Sequence, residues 1–256
     1  MIGSVEEIAR AAGEVLRARF GRIEAASIER KSSARDLVTE ADRASERTIV
    51  ERLRAAFPGE AIRAEEEVRE EGGGGPLWHV DPLDGTINFV HGVPLFAVSI
   101  ARYVWGTPDL AVVYNPILGE MFAAAAGKGA TLNGTPIRVS GTPSLADALL
   151  ITGFPYRRGE VANNNLDNFV RFFFEARGIR RFGAASLDLA WVAAGRADAF
   201  WELHLEPHDV AAGALLVREA GGRVTDFEGG EDWLLGGNVV ATNGRLHEAV
   251  RRRVRA

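Results

Sequence analysis

Three features of this sequence predict an α/β fold of stacked helix and sheet layers. Two amphipathic stretches of helical spacing open the chain, and turn-separated apolar runs fill its middle. Strand-like and helix-like segments then alternate through its second half.

Taken in order, Ser4-x-x-Glu7 has the form of a capping box. Val5, Ile8, Ala12, Val15 and Leu16 follow on one face of a first helix, expected to end near Gly21. A second helix is expected over 40–57, with Ile49, Val50, Leu53 and Phe57 as its buried stripe and Pro58-Gly59 as its stop. From Leu77 the pattern changes to short apolar runs at 78–80, 95–105, 110–115 and 121–126. Turn residues (Gly106-Thr107-Pro108, Asn115-Pro116, Gly127, Asn133-Gly134) separate them, which reads as antiparallel strands. Further on, strands are expected at 147–152, 197–203, 222–226 and 239–242, and helices at 164–176, 186–194, 209–220 and 246–255. Gly72 to Gly75 reads as a loop, too short to separate two cores.

Composition narrows the chemistry. The 256 residues contain no cysteine, which removes disulfides, thiolate metal sites and cysteine nucleophiles. Any metal must be held by oxygen or imidazole. The net charge of −5 gives no basic surface for a phosphate backbone, so no direct nucleic-acid partner is expected. No apolar run reaches the ~20 residues that span a bilayer. The opening segment lacks the basic start of a signal peptide, so a cytoplasmic location is the expectation.

The segment Trp78-His79-Val80-Asp81-Pro82-Leu83-Asp84-Gly85-Thr86-Ile87-Asn88-Phe89 carries the most chemistry. A strand delivers Asp81, Pro82 is expected to end its ladder, and Asp84-Gly85 supplies a turn. Two carboxylates folded toward one point repel unless a cation lies between them, and a hard divalent ion suits oxygen ligands. Asp-Pro and Asp-Gly are each common in loops; only the whole block is informative.

That block resembles the first signature of the inositol monophosphatase family, and the resemblance continues in order along the chain. Glu206-Pro207-His208-Asp209-Val210-Ala211-Ala212-Gly213 is similar to the second signature. The stretch from Lys31 to Asp42 resembles the upstream metal loop, and Ala64-Glu65-Glu66 the short acidic motif. Arg181 to Ala190 and Phe200-Trp201-Glu202 resemble the substrate-facing elements.

The resemblance implies a layered αβαβα sandwich of the inositol monophosphatase and fructose bisphosphatase type, in which an N-terminal half, 1–145, carries the antiparallel sheet and most metal ligands and a C-terminal half, 146–256, completes the site. It implies Mg2+ as cofactor, two to three ions, with Mn2+ as a substitute. Glu65, Asp81 and the carbonyl of Leu83 would ligate one ion, Asp81, Asp84 and Asp209 a second, and a weaker third would lie near Glu65. Asp42 would hydrogen-bond Thr86, whose hydroxyl orients and helps deprotonate the attacking water. Gly85 and Thr86 amides would hold the phosphate, while Glu202 and the backbone of Gly183 to Ala185 would meet substrate hydroxyls. The implied activity is hydrolysis of inositol 1-phosphate or a similar sugar monophosphate by a lithium-sensitive homodimer. Fructose 1,6-bisphosphate is the nearest rival substrate. A regulatory protein binding transcription or ribosome-assembly partners is the rival of another class.

Several of these residues also have a plainer reading, and the other polar residues are expected to be structural. Glu65 to Glu67 sit in an acidic run of the kind usually solvated, and Asp209 and Asp42 also read as helix caps. Asp36 is expected to contact backbone or Lys31. The five histidines show no metal-ligand spacing and read as structural or surface residues. Gly127-Lys128-Gly129 lacks the hydroxyl residue of a phosphate loop. His208, where the family usually has tryptophan, Ile87 and Ala184 depart from the pattern without removing a ligand.

Overall fold

The helical periodicity at the N-terminus produces α1 (Ile2–Arg19) and α2 (Glu40–Ala56), which pack side by side. This computed structural model describes residues 1–22, 28–30, 37–71 and 73–256, with Arg30 described by its backbone alone. The expectations for Lys31 and Asp36 lie outside the described residues. A two-residue antiparallel pair, β1 (Glu29–Arg30) with β2 (Leu37–Val38), leads into α2. The capping box expected at Ser4 does not form. The helix starts earlier, because the Ser4 and Val5 amides already donate to the Met1 carbonyl.

The middle of the chain forms β3 (Ala61–Ala64), β4 (Pro76–Asp84), the short α3 (Thr86–Val90) and β5 (Ala97–Val104). It continues through β6 (Thr107–Asn115), β7 (Glu120–Ala125), β8 (Gly129–Leu132) and β9 (Thr135–Pro136). These seven strands make one sheet in sequence order, antiparallel except for the parallel β3–β4 pair. After a 3-10 turn at Leu145–Asp147 come β10 (Leu149–Thr152), α4 (Leu166–Phe173), β11 (Gly178–Arg180) and α5 (Ala185–Ala193). The chain ends with β12 (Ala199–Glu202), α6 (Pro207–Glu219), β13 (Arg223–Thr225), β14 (Val239–Thr242) and α7 (His247–Arg251). Its five strands form a second sheet in the order β11-β10-β12-β14-β13.

Alternation along the strands sets the layers, since successive side chains point to opposite faces. Trp78, Val80, Ile100 and Val112 join the core under α1 and α2, with Ile8, Leu16, Ile49 and Leu53. Ala101, Tyr103, Ala111 and Val113 face the other way, onto Leu189, Val210 and Leu215 of α5 and α6. The second sheet divides likewise. Ile151, Phe200 and Ala241 join the α5–α6 core, while Leu150, Trp201 and Val240 pack with Phe172 and Val250 of α4 and α7. The result is helix, sheet, helix, sheet, helix, the layered α/β sandwich expected from the sequence.

The central layer is dense. A Cβ placed on Gly213 of α6 would lie 2.4 Å from Cβ of Leu189 on α5. Gly213→Ala is therefore expected to destabilise the fold by ~1–3 kcal/mol through overpacking, more than the roughly 1 kcal/mol that alanine gains in helix propensity. Urea unfolding checks this; an unchanged or raised midpoint would contradict the close helix crossing.

Candidate metal centre

The site begins where β4 departs from regular pairing. The ladder was expected to stop at Pro82, but it continues with a shift: Asp81 pairs with Ser99 of β5, and Asp84 with Ala97. Three residues of β4 thus oppose two of β5, a bulge that absorbs the proline. The released Pro82 carbonyl accepts from Ser45 Oγ at 2.8 Å instead of from the ladder. Asp81 and Asp84, an odd number apart, would face opposite sides of an even strand. The extra residue turns both into the same cavity. The Leu83 amide donates to Asp81 Oδ1 at 2.9 Å and holds that carboxylate in place.

Gly85 follows at φ 93°, and a Cβ there would lie 3.0 Å from the Leu95 carbonyl, so both conformation and space demand glycine. Asp84 itself is seated by the start of α5. It accepts from the Ser186 amide at 2.7 Å, from Ser186 Oγ at 2.5 Å and from the Ala185 amide at 3.2 Å.

Asp42 and Asp209 occupy matching positions on two helices. Each is the third residue of its helix in a capping box, with Thr39 and Glu206 respectively as N-caps. Asp209 is thus not the N-cap expected from the sequence, because Pro207 takes the first helical position and moves the cap back to Glu206. In both boxes one carboxylate oxygen is used locally. Asp42 Oδ2 accepts from the Thr39 amide at 2.8 Å and from its hydroxyl at 2.6 Å. Asp209 Oδ2 accepts from the Glu206 amide at 2.7 Å. The other Asp42 oxygen lies 3.0 Å from Thr86 Oγ1, which also stands 3.1 Å from the Leu83 carbonyl. One hydroxyl proton serves two acceptors here, one at a time.

Glu65 is placed by a residue the sequence gave no reason to single out. Glu46, 1% exposed on α2, accepts from the amides of Glu66 and Glu67 at 2.8 Å each and of Val68 at 2.9 Å. Glu46→Gln would turn one acceptor into a donor facing amides. A loss of ~1–3 kcal/mol is expected from the unsatisfied groups, with weaker ion binding on the Glu65 side. Urea unfolding and Mn2+ titration calorimetry check it; wild-type values for both would mean that Glu46 does not order this loop.

Electrostatically the site is under strain. Burial, then Glu65, Asp84 and Asp209, push the Asp81 carboxyl well above its usual range. Asp84 is pushed up to about 7 by burial and Asp209, against the hydrogen bonds from Ser186. Asp209 is raised by burial, and Asp42 rises to about 6, mainly by burial. Glu202, also buried, rises to about 8 despite Arg181. His79 is held down to about 4 by burial, Arg63 and His208. The charges acting most on Asp81 are all carboxylates, and oxygen donors dominate, so the donor set suits a hard divalent cation.

Glu65, Asp81, Leu83, Asp84, Gly85, Thr86 and Asp209 line one cavity of about 1160 Å³. Asp42 stands behind Thr86. Gly183, Ala185 and Glu202 are not part of that wall, and the Ala185 amide points to Asp84. The wall also includes residues outside the expected set, among them Tyr156, from the turn after β10, and His208. His208, read from the sequence with the other histidines as structural or surface, has a ring nitrogen within 4.8 Å of carboxylate oxygens of Glu65 and Asp81. Only its place beside Asp209 could have pointed to it. His247 is structural as expected, bonded between Thr225 and Thr242.

A five-layer α/β sandwich with carboxylates converging from β4, α6 and the loop after β3, those of β4 buried, defines a class of layered fold with an acidic, metal-suited centre. The model of the inositol monophosphatase family matches residues 2–256, and the chain belongs to that family. The protein named Nus factor SuhB of Pseudomonas aeruginosa is 51% identical over 257 residues, covering 98% of this chain and 94% of that protein. The inositol-1-monophosphatase of Synechocystis sp. is 43% identical, covering 94% of this chain and 84% of that one. The crystal structure of the extragenic suppressor protein suhB of Bartonella henselae superposes with a TM-score of 0.93 at 41% identity, over 98% of this chain and 96% of that one. No helix among the described residues is long and apolar enough to cross a membrane.

Proposed function

We propose that this chain hydrolyses a small phosphate monoester, inositol 1-phosphate or a similar sugar phosphate, with magnesium held by Glu65, Asp81, the Leu83 carbonyl, Asp84 and Asp209. The observation that carries this is the convergence of those mutually repelling carboxylates on one cavity. Bound divalent ions would offset the repulsion, stabilise charge on the phosphoryl group and lower the pKa of water. The chain's own residues do the rest. Asp42, raised to about 6, takes the Thr86 hydroxyl proton's hydrogen bond and so leaves the Thr86 oxygen to orient the attacking water. Gly85 and Thr86 present backbone amides to the phosphate. Glu202 and the backbone of Gly183 and Ala184, which lie off the cavity wall, would meet hydroxyls at the far end of the organic part, in a site completed by the 146–256 half; the Ala185 amide is taken by Asp84. In this reading the protein works as a lithium-sensitive cytoplasmic homodimer.

The test is phosphate release from a panel of sugar and inositol phosphates with and without Mg2+. Release from inositol 1-phosphate that depends on Mg2+ is expected. Faster turnover of fructose 1,6-bisphosphate would replace the substrate, and no release from any ester by folded protein would remove the activity.

A second reading is favoured by the name of the P. aeruginosa relative, a Nus factor: a regulatory protein binding transcription or ribosome-assembly partners. Asp84→Asn separates the two, since a cellular phenotype that survives loss of hydrolysis belongs to the binding role.

A further inference from the structure

A ring nitrogen of His208 and one carboxylate oxygen each from Glu65 and Asp81 all lie within 4.8 Å of one another. The ring is mostly buried, with 17% of its side chain exposed, and stands 3.7 Å from Asp209 Oδ1, longer than a hydrogen bond. Two devices deliver it there. Pro207 fixes the first turn of α6, and Ser99 Oγ donates to the His208 carbonyl at 3.3 Å. Ser99 is also the cross-strand partner of Asp81, so one strand pair places both groups.

A second histidine lies on the same face of β4. His79, two residues before Asp81 and so on the same side of β4, is 4% exposed, and its Nδ1 has no hydrogen-bond partner among the described residues. His79 does not line the cavity, and its ring stands edge-on to Tyr103 with centroids 5.2 Å apart, so His208 is the imidazole that reaches Glu65 and Asp81. Tryptophan, which the family resemblance places at position 208, could not ligate a cation, because its indole nitrogen only donates. Imidazole can.

We infer that His208 supplies a nitrogen ligand to the divalent ion held by Glu65 and Asp81, which raises this chain's affinity for Mn2+ and Zn2+ relative to Mg2+. The inference rests on the metal-dependent reading above and deepens it. Imidazole suits zinc and is a better ligand for manganese, a softer ion than magnesium, than for magnesium itself, whose preferred donors are all oxygen.

Mn2+ alone, titrated into the full chain and examined by pulsed electron paramagnetic resonance, is the test. Nitrogen coupling to the bound ion is expected, and it should persist in His79→Val and disappear in His208→Asn and His208→Trp. Mn2+ affinity in the two His208 variants should fall roughly tenfold, with Mg2+ affinity changing less than about twofold. Circular dichroism shows which variants fold, and labelling histidine with 15N should convert the 14N coupling of the native protein to a 15N coupling, which assigns it to a histidine without any substitution. Mn2+ bound with no nitrogen coupling, or coupling that survives in His208→Asn, overturns the ligand and leaves the hydrolysis reading standing. A native protein that binds no Mn2+ sinks both.

Discussion

Asp84→Asn is expected to lower kcat for the best phosphate ester by at least about 10³-fold, because it removes one anionic ligand at a centre whose chemistry is electrostatic. The fold should survive. Asparagine keeps one acceptor oxygen, which can serve the Ser186 amide and hydroxyl that share Asp84 Oδ2, while the Ala185 amide bonds the other oxygen at 3.2 Å. Its amide group would face the remaining donors, so a stability loss of ~1–3 kcal/mol accompanies the change. Losing one buried charge in a crowd of carboxylates offsets part of that loss. Steady-state kinetics at saturating Mg2+, with unfolding midpoints to show the variant is folded, measure it. Activity within about tenfold of the native protein would mean that Asp84 ligates nothing essential.

The second large effect is a coupling of pH, ions and stability. Asp84 rises from 3.8 to about 7 in the fold, Glu202 from 4.5 to about 8 and Asp42 from 3.8 to about 6. All are raised, so the folded protein holds more protons than the unfolded chain between about pH 4 and pH 8, and stability must fall as pH rises through that window. The ion-free protein should therefore melt at a lower temperature at pH 8 than at pH 5.5. Added Mg2+ or Mn2+ should reverse this, raising Tm more at pH 8, where the carboxylates are ionised and bind best. Each 1 kcal/mol moves Tm by roughly 2–4 °C in a chain of this size, so the effect is readily seen by calorimetry. Equal ion-induced shifts at both pH values would contradict the buried-carboxylate account. Asp84→Asn should flatten the dependence.

Much of this architecture was legible because period and burial coincide. The α2 stripe of Ile49, Val50 and Leu53 is buried as its spacing requires, and β5 to β7 follow the apolar runs and turn residues. Boundaries drifted where distant contacts decide them. The helix expected over 164–176 starts only at Leu166, because Asn165 adopts φ 74° and is tied elsewhere. Its side chain donates to Thr152 Oγ1 and the Gly153 carbonyl, and accepts from Trp201 Nε1. The last helix, expected to reach residue 255, stops at Arg251. Val254 turns back into the core, and the Arg255 amide donates to Asn168 Oδ1.

The candidate site divides in the same way. Asp81, Asp84 and Thr86 stand in one local block, so their shared wall could be read from the chain. Glu46 looks like any acidic residue of a polar helix, and its partners lie some twenty residues on, in a loop whose path only folding creates. Ser186 is 102 residues from Asp84, and His208 gains its meaning from Glu65 and Asp81 across the sheet. No periodicity encodes such contacts.

Anomalous diffraction from crystals soaked in Mn2+ tests the central claim most directly. The account predicts peaks between Glu65 and Asp81 and among Asp81, Asp84 and Asp209. Manganese absent from that cavity, or bound only at surface acids while those four side chains keep their present positions, would contradict it.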